Sequence, residues 1–177
     1  MKKTTYFLSL IALYYAITDA HSAPSAIELS VWANEAIVTT YSFDYSNYLN
    51  AQKNMAQYFT GEGWIAYFEA LNNSKILDSV KKNAYTVSAV ATLPPKIIFL
   101  DPTHWQAFMP VLVVYKNATY QQQQHLTVTL NLTKAPADQG VRGMAISSFK
   151  SLVTAPPCEC KNPTSVEESL KTPNVSK

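Results

Sequence analysis

The sequence predicts an α+β domain whose helices pack on one face of an antiparallel sheet, and three features predict it. Apolar residues recur at helical spacing from Leu29 to Val80. Near Tyr85 the period changes to two and stays there. Helices therefore precede strands, with no βαβα alternation, which is the order of a segregated α+β fold. Hydrophobic residues make up 47% of the 177 residues, so one domain can bury its own core without cross-links.

Leu29, Trp32, Ala33, Ala36 and Ile37 fall at i, i+3, i+4, i+7 and i+8 and draw one stripe down a first helix. Pro24 and Ser25 supply its start signal. A second stripe places Tyr45, Tyr48, Leu49, Ala56 and Phe59 on one face, interrupted by Gln52. Gly61 and Gly63 punctuate the chain, and Trp64, Phe68 and Leu71 stripe a third short helix with Trp64 as its expected core anchor. Asn72 and Asn73 end that helix, and Ser74 can cap a fourth carrying Ile76, Leu77 and Val80.

Tyr85, Val87, Ala89 and Ala91 alternate with Thr86, Ser88, Val90 and Thr92 as a first strand, which Pro94 and Pro95 stop. Ile97 to Leu100 is a short apolar run, and Asp101-Pro102 signals a turn. Trp105 to Tyr115 reads as a longer strand, with Pro110 marking an edge or a bulge. Gln121 to Gln124 reads as a solvated hairpin connection. In the next strand Leu126, Val128, Leu130 and Leu132 face one way and Thr127, Thr129, Asn131 and Thr133 the other, the alternation of a sheet with one wet face. Met144 to Val153 gives the last strand. From Thr154 to Lys177, prolines among Ser, Thr, Lys and Glu predict a disordered tail.

Composition argues against several functions. Net charge is +2, Arg142 is the one arginine, and the lysines are scattered, so the basic stripe of a nucleic-acid binder is missing. No G-x-S-x-G, H-E-x-x-H, Walker or G-x-G-x-x-G signature occurs, and four glycines leave little for a phosphate cradle. His21 lies near the N-terminus, and His104 and His125 flank strands. Asp101 is close to His104, but no nucleophile is spaced to join them. Glu62 and Glu69 share a helix face that points away from Trp64, Phe68 and Leu71, and general-acid work needs a carboxyl in a cleft. No catalytic residue, cofactor or metal ligand is assigned. The sequons at Asn72, Asn117, Asn131 and Asn174 are no more than an Asn- and Thr-rich chain gives by chance.

The two ends read separately from the domain. Lys2 and Lys3 precede the apolar run Tyr6 to Ile17, which is shorter than the ~20 residues that span a bilayer. Small residues then allow cleavage after Ala20 or after Ser22, so residues 1–22 are expected to be a secretory signal, 23–153 the domain and 154–177 the tail. An uncleaved segment would instead anchor the domain in the inner membrane, facing the periplasm. Cys158 and Cys160 follow the last expected element. In an oxidising compartment they can close a local disulfide or link two chains.

A family resemblance rests on blocks that occur in order. They are Trp32-Ala33 with Glu35-Ala36, Tyr41-Ser42-Phe43-Asp44-Tyr45 with Asn47-Tyr48, Tyr58-Phe59-Thr60 with Gly63-Trp64, and Ala70-Leu71 with Ser74. Val87 to Ala91, Trp105, Met109-Pro110-Val111-Leu112-Val113 with Tyr115, the alternating Leu126 to Leu132 strand, and Gly143, Ile146 and Phe149 continue the series. Together they resemble the periplasmic domain of the DotI/IcmL family of type IVB secretion proteins. The resemblance implies a curved antiparallel sheet wrapped by helices, the cone of nuclear-transport-factor-2-like and cystatin-like folds. It also implies kinship with the TraM protein of certain conjugative plasmids and with the bitopic scaffold component of type IVA machines.

The implied role is structural and non-enzymatic. Its partners are envelope or secretion-system proteins, with self-association allowed, no nucleic acid, and membrane contact only if the signal stays uncleaved. Family members carry a membrane span ahead of this domain, and the short signal in that place implies a soluble periplasmic paralogue. A second hypothesis is a small-ligand binder or enzyme using an apolar pocket inside the cone, motivated by eleven tyrosines. The intact mass of periplasmic material tests the first expectation. It should correspond to a chain beginning at His21 or Ala23, and a mass that includes residues 1–20 would exclude cleavage.

Overall fold

The computed structural model describes residues 23–156 and, as backbone, 158–160; the expected signal and its cleavage positions lie outside the described residues. The elements are α1 (Ala26–Thr40), β1 (Phe43–Asp44), α2 (Tyr48–Ala56), α3 (Gly61–Asn73), α4 (Ile76–Lys82), β2 (Thr86–Ala91), β3 (Lys96–Asp101), β4 (His104–Lys116), β5 (Gln121–Lys134), β6 (Met144–Val153) and β7 (Cys158–Cys160).

The expected stripe of α1 is its buried face: Leu29, Trp32, Ala33, Ala36 and Ile37. A capping box starts the helix. Glu28 N–H donates to Ser25 Oγ at 3.2 Å, and Ser25 N–H donates to Glu28 Oε2 at 2.7 Å.

In α2 the buried residues are Ala51 and Met55, while Tyr45 and Leu49 are exposed. Asp44 explains the difference. Its carboxylate accepts from the backbone of Ser46 and Asn47 at 2.7 and 2.9 Å, holding a turn that delays the helix to Tyr48. A stripe counted from Tyr45 therefore runs across a turn.

Helix α3 begins at Gly61, so the two glycines sit in its first turn. Thr60 caps it, its Oγ1 accepting from Gly63 N–H at 3.0 Å. Thr60 N–H donates to Ile146 O at 3.0 Å, and Ile146 N–H donates to Tyr58 O at 2.8 Å, which lays this segment along the start of β6. Gly63 is the price of that approach, because a Cβ there would stand 2.5 Å from Ile146 O.

Trp64 is only half-buried, stacked with Phe68 at the rim; the fully buried indoles are Trp32 and Trp105. Phe59 occupies the interior position expected of Trp64 and meets its ring edge-on at 5.6 Å. Ser74 links the next helices: its hydroxyl donates to Leu71 O and accepts from Ile76 N–H. Lys75 turns the chain between them at φ 59°.

The sheet is built on β4 and β5, which pair without interruption from His104↔Thr133 to Lys116↔Gln121. Two collinear strands flank each of them. On β4, β2 pairs with Val111 to Lys116 and β3 with His104 to Phe108. On β5, β6 pairs with Leu126 to Lys134 and β7 with Gln121 to Gln123.

Pro110 thus lies in a central strand, neither at an edge nor in a bulge. Its carbonyl accepts from Thr92 N–H at 3.0 Å, but it has no N–H to return. The β2 ladder stops there, and the missing donor falls where one flanking strand gives way to the next. Gln121 to Gln124 belong to β5. The connection is instead the turn Asn117–Tyr120, where Asn117 Oδ1 accepts from Thr119 and Tyr120 N–H at 3.0 and 2.8 Å.

Alternate residues of the central pair form the core floor, from Trp105 to Val113 and from Leu126 to Leu132. Helix α1 is clamped over it. Trp32 Nε1–H donates to Val141 O at 2.9 Å. Glu35 accepts from Tyr58 OH at 2.7 Å and from the Arg142 guanidinium at 2.5 Å. The Tyr58 hydroxyl, and after it Arg142, holds the Glu35 carboxyl below its ordinary range.

Two predictions follow from these contacts. Gly63→Ala should lower stability by about 1–3 kcal/mol through overpacking. Gly61→Ala, with nothing within 4 Å of the added carbon, should stay within about 0.5 kcal/mol of the parent; chemical denaturation measures both. Glu35→Gln should cost less than about 1 kcal/mol at neutral pH, because the pair is half exposed. A lowered folded-state pKa gives stability that is present above the ordinary carboxylate range and lost as pH falls through the folded value. Melts of parent and variant should therefore converge as pH falls below the ordinary carboxylate range.

Candidate functional site

The one grouping of catalytic residue types foreseen from the sequence does form, at the β3–β4 turn. His104 Nδ1 lies 2.8 Å from Asp101 Oδ2 and 3.1 Å from Thr103 Oγ1. Asp101 Oδ1 also accepts from Thr103 N–H at 2.7 Å and from its hydroxyl at 2.9 Å. The same ring nitrogen faces both carboxylate and hydroxyl, so no proton path runs from hydroxyl through the ring to the acid. Thr103 N–H is the main cause of the lowered Asp101 pKa. All three residues are exposed. The trio closes a turn.

Glu62, Glu69 and His125 are exposed, and no cluster of three metal-ligating side chains forms among the described residues. The backbone of Cys158 and Cys160 pairs with Gln123 and Gln121, so three strand residues lie within the segment expected to be disordered.

Aromatic rings fill much of the space between the helices and the sheet. Phe59 and Tyr67 are 5.1 Å apart, Tyr67 and Phe149 5.1 Å, and Tyr41 and Phe149 6.1 Å. Burial pushes the Tyr41 hydroxyl up to about 12 and raises that of Tyr67 further. Both stay protonated at neutral pH and cannot serve as bases there.

Three clefts open elsewhere. One of about 240 Å³ lies between α1 and α2. One of about 700 Å³ lies near Asn83 and Asn117. One of about 740 Å³ lies beside the first turns of α1 and is lined by Ile27, Val31, Trp105, Lys134, Arg142 and Met144.

Exposed apolar side chains gather at two places on this side of the molecule. Ile27 and Val31 stand on the outer face of α1, 77% and 58% exposed. Phe99 and Leu100 stand on edge strand β3, 51% and 59% exposed. Ile27 and Val31 lie off the core stripe of α1, so the helical spacing does not mark them. Strand alternation places Trp105 but carries no signal of what its indole N–H bonds.

Comparison with known proteins assigns the fold and the family. The family model of the DotI/IcmL inner-membrane complex component of type IVb secretion systems matches residues 15–152. The chain is similar to the crystal structure of an IcmL-like type IV secretion system protein from Legionella pneumophila subsp. pneumophila strain Philadelphia 1. Identity is 58% and the TM-score 0.74, over 78% of this chain and 99% of that one. It is similar to the periplasmic domain of DotI, with 34% identity and a TM-score of 0.69, over 73% of this chain and 96% of that one. A periplasmic fragment of TraM shares the fold at 20% identity and a TM-score of 0.63, over 73% of this chain and 98% of that one. Comparison with curated proteins gives no match. The helices on a curled antiparallel sheet are thus the nuclear-transport-factor-2-like arrangement, and the chain belongs to the DotI/IcmL family of type IVb secretion-system components.

Proposed function

We propose that this protein is a non-enzymatic interaction module of the bacterial envelope that faces the periplasm and binds other type IV secretion components. The observation that carries the reading is its 34% identity to the periplasmic domain of DotI across 96% of that domain. The chemistry supports it. The Asp101, Thr103 and His104 groups are spent on a turn, the Glu35 carboxylate on a clamp, and the buried tyrosines stay protonated. The aromatic packing of Tyr41, Phe59, Tyr67 and Phe149 weighs against a ligand pocket inside the cone.

Export through residues 1–22, with cleavage after Ala20 or Ser22, belongs to the same reading. So does a local disulfide between Cys158 and Cys160 in the oxidising periplasm. No helix among the described residues is long and apolar enough to cross a membrane. Mild crosslinking of envelope fractions followed by purification tests the proposal. Secretion-system components should be recovered with the protein, and an uncrosslinked monomer free of partners would overturn it.

A further inference from the structure

We propose that the free edge of β3 pairs with the same edge of a second copy of this chain, antiparallel, across a two-fold axis at Ile98. The inference rests on the interaction-module reading and deepens it by naming one partner and the strand that receives it.

The first observation is the edge itself. Strand β3 pairs with β4 on one side only. In an antiparallel ladder alternate residues turn their N–H and C=O away from the neighbour. Those of Lys96 to Asp101 that turn away from β4 meet no partner among the described residues. The other outer strands are partly covered, β2 by β1 and the start of β6 by Tyr58 and Thr60. An open edge is a template for another strand. Pro95 and Pro102 bound it, and neither has an N–H to extend a ladder. The edge therefore offers six residues, the length of one more β3.

The second observation is which face each residue takes. Trp105 and Ala107 are buried on the helix side of β4, and His104, Gln106 and Phe108 alternate with them on the outer side. Paired residues share a face, so Ile97 and Phe99 lie on the helix side and Lys96, Ile98 and Asp101 on the outer side. Residues five apart, such as Lys96 and Asp101, stand on opposite faces of a regular strand. The register shift between Phe99 and Asp101 brings these two to the same face.

That shift makes the edge complementary to itself. A two-fold axis normal to the sheet keeps every residue on its own face, so only residues of one face can meet across it. With the axis at Ile98, Ile98 meets its own copy, Ile97 meets Phe99, and Lys96 meets Asp101. Apolar side chains then face apolar ones, and each end matches a cation to an anion. Ile98, Phe99 and Leu100 are 37%, 51% and 59% exposed in the single chain, which leaves them free to be covered. Lys96 has no ion pair among the described residues. Asp101 keeps its turn contacts with Thr103 and His104 and is still exposed. Opposite charges directly across two strands favour a register, and like charges there oppose it.

Sedimentation of the purified protein over a range of concentrations tests this. A reversible dimer should form, and Lys96→Glu and Asp101→Lys should each weaken it roughly tenfold, because each sets like charges opposite one another at both ends. An equimolar mixture of the two variants should associate as the parent does, since each then carries the charge that the other needs. A loss of folding cannot produce that recovery. Should Asp101→Lys fail to fold for want of its turn, cysteine crosslinking gives the second reading. With Cys158 and Cys160 replaced by Ser, Ile98→Cys should yield a disulfide-linked dimer under mild oxidation and Lys96→Cys should not.

A protein that stays monomeric up to about 1 mM, a mixture that associates no better than either variant alone, or crosslinking at Lys96→Cys in place of Ile98→Cys would overturn the proposal. So would β3 amides that become protected from exchange only when a secretion component is added, which marks a foreign strand. The two levels of inference separate cleanly. A monomer that still recovers secretion components removes the β3 pairing and leaves the module reading, whereas a dimer that recovers none removes the module reading and leaves the pairing.

Discussion

The uninterrupted ladder between β4 and β5 is the constraint on which the rest depends. It joins thirteen residue pairs in one register. Because side chains alternate in a strand, that register decides at once which residues face the helices. It puts Trp105, Ala107, Met109, Val111 and Val113 beside Leu126, Val128, Leu130 and Leu132 on one face. A slip of one residue would turn the floor of the core out to solvent and bring Gln106, Thr127 and Thr129 inside.

The helices answer to that floor, and their own chemistry only fixes how they meet it. Helix α1 carries the broadest apolar face and is tied to the β5–β6 connection by the Trp32 indole and the Glu35 carboxylate. Helix α3 reaches the sheet at its margin, through the backbone exchange between Tyr58, Thr60 and Ile146. That marginal seat leaves the rest of its outer surface, including Ile65, to solvent. The same division separates the two kinds of surface on the molecule. Polar groups close to the clamp are satisfied inside the domain, while the apolar residues of α1 and β3 have nothing of the domain to cover them.

Local patterns were readable in the sequence wherever they coincided with the tertiary answer. The stripe of α1 and the alternation of β5 did, because each lies against one continuous partner. Tyr45 and Leu49 misled because a carboxylate side chain, Asp44, set where the helix begins. Trp64 misled because bulk predicts burial only where the facing surface is wide, and α3 meets the sheet at its edge. Gly63 read as punctuation, yet its role is set by Ile146, more than eighty residues away. The lone indole donor of Trp105 had no signal at all in the chain. Whether a buried N–H finds an acceptor depends on what other segments bring to it, and no spacing rule encodes that.

The broken flanks of the sheet have a mechanical consequence. The same short sequence, Thr-x-Pro, interrupts the edge on both sides, at Thr92 to Pro94 and at Thr154 to Pro156. Thr92 closes one ladder against Pro110, and Thr154 N–H closes the other against His125 O. Pro110 pairs with Thr127 and Leu112 with His125, so the two interruptions fall at nearly the same level of the central pair. At each interruption the sheet loses one outer strand and keeps the other: β6 still pairs with Thr127 and Val128 opposite Pro110 and Met109, and β2 still pairs with Leu112 and Val113 opposite His125 and Gln124. The notches are therefore staggered, as in a plate cut from both edges at slightly different heights. Narrowed at two successive levels, the sheet can curl there without breaking a single pair between β4 and β5.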